Sequence, residues 1–109
     1  MPSLPGYGKL GGKEGNMLAK NPAELGKLGP EARDREILRL GIIAELDAIN
    51  LYEQLAAVAA DQGLREVLRD IAREEKTHVG EFLALLLRRD PEQREELAKG
   101  KEEIEELLG

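Results

Sequence analysis

Glu75 and His78 stand three residues apart, a spacing that sets a carboxylate and an imidazole on one face of an α-helix, one turn from each other. Both fall in an otherwise apolar stripe formed by Leu64, Val67, Leu68, Ile71, Val79, Phe82, Leu85 and Leu86. Glu45 interrupts a second stripe of the same kind, made of Leu38, Gly41, Ile42, Ala48, Ile49, Tyr52, Leu55, Ala56 and Ala59. An unpaired carboxylate between packed helices costs several kcal/mol, so these groups need a neutralising partner. The spacing allows two: a hydrogen-bonded Glu–His network, or a metal ion. A Glu-x-x-His on one helix with an inward Glu on its neighbour is half the ligand set of a di-iron carboxylate centre. Carboxylate oxygen and imidazole nitrogen suit Fe(II), Mn(II) and Zn(II), and the single histidine means that a second copy must supply the other half. The full centre would hold two Glu45, two Glu75 and two His78. Tyr52, seven residues after Glu45 on the same face, is placed either to donate its hydroxyl to a ligating carboxylate or simply to pack.

Positioning those groups requires an antiparallel hairpin. The first stripe predicts a helix from near Pro30 to near Ala60, with Pro30 at its first position and Glu31 in its first turn. A tight turn is expected at Asp61-Gln62-Gly63, where Asp61 can cap a second helix running to about Arg89. Glu45 lies 16 residues before Asp61 and Glu75 lies 14 after it. At about 1.5 Å per residue, both stand roughly 21 to 24 Å from the same turn and therefore at one height. A third, shorter helix is expected after Asp90, with Pro91 in its first turn, Gln93 at the capping-box position, few apolar residues and a weakening Gly100.

Residues 1 to 29 hold seven of the 12 glycines and lack sustained periodicity, which predicts a flexible arm preceding a folded unit of residues 30 to 109. The arm carries a short near-repeat, Gly8-Lys9-Leu10-Gly11 and Gly26-Lys27-Leu28-Gly29, with Leu4, Leu18 and Leu25 nearby. Spaced leucines of this kind can enter pockets on a partner, although an ordinary tail looks the same.

Composition removes several classes of function. Without cysteine the chain can form no disulfide framework, zinc ribbon or thiolate iron site, so Asp, Glu or His78 must hold any metal. A net charge of -6 and three aromatic residues argue against a nucleic-acid partner. No apolar run approaches the roughly 20 residues that span a bilayer, and the N-terminus lacks the apolar core of a signal peptide. These features lead to the expectation of a soluble cytoplasmic protein. The last 20 residues are the acidic end, with eight acidic against three basic side chains.

The stretches Ala44-Glu45-Leu46-Asp47-Ala48-Ile49-Asn50-Leu51-Tyr52-Glu53 and Ala72-Arg73-Glu74-Glu75-Lys76-Thr77-His78-Val79-Gly80-Glu81-Phe82, followed by Asp90-Pro91-Glu92-Gln93, resemble the encapsulated ferritins, ferritin-like proteins packaged inside encapsulin shells. The resemblance covers about residues 34 to 109. It implies an all-α protomer, a two-helix hairpin with a short C-terminal helix that dimerises into a ferritin-like four-helix bundle. It further implies a ferroxidase centre formed only between subunits and a homodimer repeated in a ring, often a decamer. By position, Glu45, Glu75 and His78 match that family's metal ligands and Tyr52 its supporting tyrosine. Asp47 matches one acidic position of a metal-entry site, while Ala44 and Leu51 depart from the acidic and Trp residues found there.

The expected function is oxidation of Fe(II) to Fe(III) by dioxygen, with the product stored as mineral in the surrounding encapsulin nanocompartment. Alternatives are a rubrerythrin-like peroxidase or manganese protein of oxidative-stress defence, or a non-catalytic helical dimer acting as an adaptor. The family's shell-docking peptide usually follows the ferritin-like region and is not found after Gly109 here. The N-terminal arm could replace it, the region could belong to a chain fused to shell protein, or the chain could act outside a shell.

Overall fold

The computed structural model describes residues 22–109. Three helices account for most of them: α1 (Pro30–Val58), α2 (Gln62–Arg89) and α3 (Pro91–Leu108), with no strand among the described residues. α1 and α2 pack side by side as the antiparallel hairpin that the two stripes predict. Buried Leu38, Ile49 and Ala56 of α1 face Ala72 and Leu86 of α2. Gly41 belongs to this seam for a steric reason. A β-carbon there would stand 3.1 to 3.2 Å from the ring of Phe82, so a larger residue would push the ring away from α1 by a few tenths of an ångström. A glycine in mid-helix costs about 1 kcal/mol relative to alanine.

Local capping fixes the helix starts. The Asp61 carboxylate accepts from the Leu64 backbone N–H at 2.8 Å, and that of Asp90 accepts from the Gln93 N–H at 3.0 Å. The turn falls slightly earlier than expected, over residues 59 to 61, because Gln62 and Gly63 already belong to α2. The Arg65 guanidinium closes it by donating to the Ala59 carbonyl at 2.6 Å. At the other end of the hairpin, Arg39 of α1 holds Asp90 at 2.9 Å, and Arg89 of α2 reaches Asp34 at 3.4 Å. α3 continues through Gly100 without a break, yet it touches only α2 and buries none of its residues. Leu97, Ile104, Leu107 and Leu108 are exposed along it.

The expectation of an arm without regular structure fails at its end. Pro22–Lys27 forms a 3-10 helix that packs on α1, Leu25 is buried, and the Arg33 guanidinium donates to the Leu28 carbonyl at 3.1 Å. Buried Leu25 and this local clamp hold the segment against its glycines. Leu4, Leu18 and the first Gly-Lys-Leu-Gly copy lie outside the described residues. No helix among the described residues is long and apolar enough to cross a membrane.

Candidate metal centre

The equal heights of Glu45 and Glu75 on a hairpin translate into direct convergence. One ligand atom from each of Glu45, Glu75 and His78 lies within 4.8 Å of the other two. His78 Nδ1 stands 3.2 Å from Glu45 Oε2 and 3.3 Å from Glu75 Oε1. The group is not sealed in the core as the stripe positions suggest. Its two carboxylates are mostly covered, whereas the imidazole is 44 % exposed at the rim. In a two-helix protomer a seam residue has a wall on one side only.

Electrostatics set this cluster apart from an ordinary ion pair. Glu75 stands beside Glu45, with one carboxylate oxygen of each within the 4.8 Å spread of the group. Hydrogen bonding toward Glu75, then partial burial, then the repulsion of the Glu75 charge push the Glu45 carboxyl up from its ordinary value. His78 opposes the shift by charge and by hydrogen bonding without cancelling it. Two carboxylates held beside each other against their mutual repulsion are a pair that a divalent cation can relieve.

The donor set therefore fits a metal ion by its chemistry: two carboxylates and one imidazole, the ligand types that suit Fe(II), Mn(II) and Zn(II). Three residues fall short of the donors that two such ions require, about four to six each. On the helical face that carries His78, Val67 lies three turns earlier and Leu85 two turns later, and they are 56 % and 43 % exposed. Exposed apolar residues thus lie three turns before and two turns after the incomplete ligand set on its helical face.

Other residues singled out by sequence stand apart from the group. Tyr52 is half-buried two turns along α1, and its hydroxyl has no hydrogen-bond partner among the described residues. Asp47 is half-buried and lies outside the converging set. Net-charge bookkeeping hides a further cluster, Arg69, Arg73 and Lys76, whose i, i+4, i+7 spacing assigns three cations to one face of α2.

Comparison with known proteins gives consistent relatives. The profile of the EncFtn-like family matches residues 20–104. A ferritin-like-encapsulin shell fusion protein of Pyrococcus furiosus is 57 % identical over 95 residues, covering 85 % of this chain and 28 % of that protein. The encapsulin nanocompartment cargo protein EncC of Myxococcus xanthus is 40 % identical over 68 residues, 62 % of this chain and 50 % of that protein. The chain thus spans half or less of the length of these curated relatives. The crystal structure of the encapsulated ferritin domain from Pyrococcus furiosus is similar with a TM-score of 0.72 and 56 % identity, covering 85 % of this chain and 97 % of that one.

Proposed function

The chain belongs to the EncFtn-like family, and from that premise we propose that it is a ferroxidase, oxidising Fe(II) with dioxygen at a di-iron centre that two copies complete. The observation that carries this reading is the half-set itself: Glu45, Glu75 and His78 converge with the His78 imidazole exposed, on a face of α2 that also exposes Val67 and Leu85. A second copy laid against that face would bury Val67 and Leu85 and bring four carboxylates and two imidazoles together. Iron is the substrate here; each Fe(II) gives up one electron, and four such electrons with four protons reduce dioxygen to water. Glu45 and Glu75 bind the ions as carboxylates, the cations relieving the repulsion between them. His78 supplies the nitrogen donor at the rim. Tyr52 would find the acceptor for its hydroxyl at the completed centre.

One relative is fused to encapsulin shell protein and the other is an encapsulin cargo protein, which supports a shell partner for this chain as well, with the protein working inside a cytoplasmic nanocompartment. A ring of dimers cannot enclose mineral, so storage would belong to the shell. Docking would fall to the arm, now shortened to residues 1 to 21 because the following segment packs on α1.

The test follows the metal and the assembly together. Anaerobic Fe(II) added to the metal-free chain should shift it from monomer to larger species in native mass spectrometry, with one iron per chain. Air should then raise the ferric absorbance far faster than in buffer. A monomer that binds two irons tightly, or oxidation no faster than buffer, overturns the reading.

A further inference from the structure

A cleft of about 310 Å³ opens between α1 and α2 on a different face from the metal-ligand group. Its floor is small: Ala56 and Ala72 are 2 % and 3 % exposed, with Ala57 on the lip. Its α2 wall is cationic, formed by Arg69, Arg73 and Lys76, while Glu53 of α1 is the one acidic residue that lines it. Three basic groups and one acidic group form a positive island on a chain whose net charge is -6.

The cations are not equally engaged. Lys76 Nζ is held by Glu53 at 3.1 Å. Arg73 meets only Asp70, at 3.2 Å, in a pair where both side chains are more than half exposed and which therefore contributes little. Arg69 has no ion pair or side-chain hydrogen bond among the described residues. Two guanidiniums one helical turn apart, over a hollow that alanines leave open, offer parallel N–H donors to a compact anion with several oxygens.

We propose that this cleft is a binding site for a small oxyanion of the phosphate class, held by Arg69 and Arg73, with Lys76 kept in reserve by Glu53. The volume suits inorganic phosphate with some of its water. Like charges at 69, 73 and 76 repel one another along the helix, and an anion between them removes that cost. The site needs neither a metal nor a second copy, so it stands or falls apart from the ferroxidase reading.

The experiment titrates inorganic phosphate into the metal-free full chain at low ionic strength, by calorimetry and by ³¹P NMR. One saturable site per chain is expected. Arg69→Gln and Arg73→Gln should each weaken binding about tenfold, the usual size of a charge-assisted hydrogen-bonded contact. Ala57→Leu, which fills the lip without changing any charge, should weaken it comparably. Glu53→Gln should tighten it severalfold by releasing Lys76, and Lys99→Gln on α3 should change nothing. Absence of saturable binding overturns the proposal, as does equal weakening by Lys99→Gln and Arg69→Gln, since binding would then follow net charge alone. It is also overturned if the arginine variants leave phosphate binding intact but alter the size of the protein in sedimentation. The cleft would then be a seat for the acidic α3 of a second copy.

Discussion

Glu45 and Asp90 are exposed to nearly the same degree, 16 % and 15 % of their side chains, yet the fold treats them in opposite ways. Asp90 sits at the junction of α2 and α3 with its acceptors filled. One oxygen takes the Gln93 backbone N–H and the other takes Arg39. Those donors, the Gln93 N–H foremost, hold its carboxyl below the ordinary range against the opposing effect of partial burial. Glu45 sits at the middle of the hairpin facing Glu75, which pushes it the other way. Exposure therefore does not decide the role of a carboxylate here; its partners do. Filled acceptors make Asp90 a clamp between elements. Glu45 keeps lone pairs in need of a cation, which is the condition of a ligand.

The largest expected effect breaks the comparison at its functional side. Glu45→Ala, Glu75→Ala and His78→Ala should each lower the rate of Fe(II) oxidation by about 100-fold or more, since losing even an outer partner of a metal site typically costs 10- to 100-fold. Asp90→Ala should leave the rate per folded chain unchanged. Ferric absorbance, with metal content from elemental analysis, reads both. Parental rates in all three ligand variants, or an Asp90→Ala rate as low as theirs, would erase the distinction.

Stability against pH sharpens the contrast, because the two shifts have opposite signs. The raised carboxyl of Glu45 favours the metal-free fold below the ordinary carboxylate value, and that contribution is lost as pH rises through the raised folded value. Glu45→Gln should therefore flatten the decline on the neutral side and raise the metal-free melting temperature at pH 7. The lowered carboxyl of Asp90 contributes above its ordinary value and is lost as pH falls through the lower folded one. Asp90→Asn should flatten the acid side and lower the melting temperature at pH 7 by a few degrees. Thermal melts from pH 3 to 8 check both slopes, and parallel curves for the two variants would contradict the assignment.

A smaller effect is expected at Tyr52. Its hydroxyl has no hydrogen-bond partner among the described residues, so Tyr52→Phe should leave the metal-free melting temperature unchanged and slow oxidation by about tenfold or less. An unchanged rate, measured by the same absorbance assay, removes Tyr52 from the centre. The smallest effect on chemistry belongs to residues 1 to 21. Deleting them should leave the oxidation rate intact while shells co-expressed with the protein lose their cargo on gel filtration. Full loading would move docking elsewhere on the chain.

Local rules made much of this molecule legible. The caps at Asp61 and Asp90 act within three residues, and the two stripes follow the period of one helix, so helix number and limits could be read directly. The height of Glu45 against Glu75 was readable too, since it needs only residue counts on either side of one turn. Contacts that depend on how far each helix is rotated against the other were not. The Phe82 ring over Gly41, the Lys76–Glu53 pair, the cleft floored by Ala56 and Ala72, and the reach of Arg39 to Asp90 across 51 positions all require the phase and register of packed helices. Burial of Leu25 belongs with them, because the glycines around it point to an open chain and only the neighbouring α1 surface holds it. Periodicity fixes where a side chain sits on its own helix, but a partner's identity depends on the angle at which the second helix meets it, and packing sets that angle.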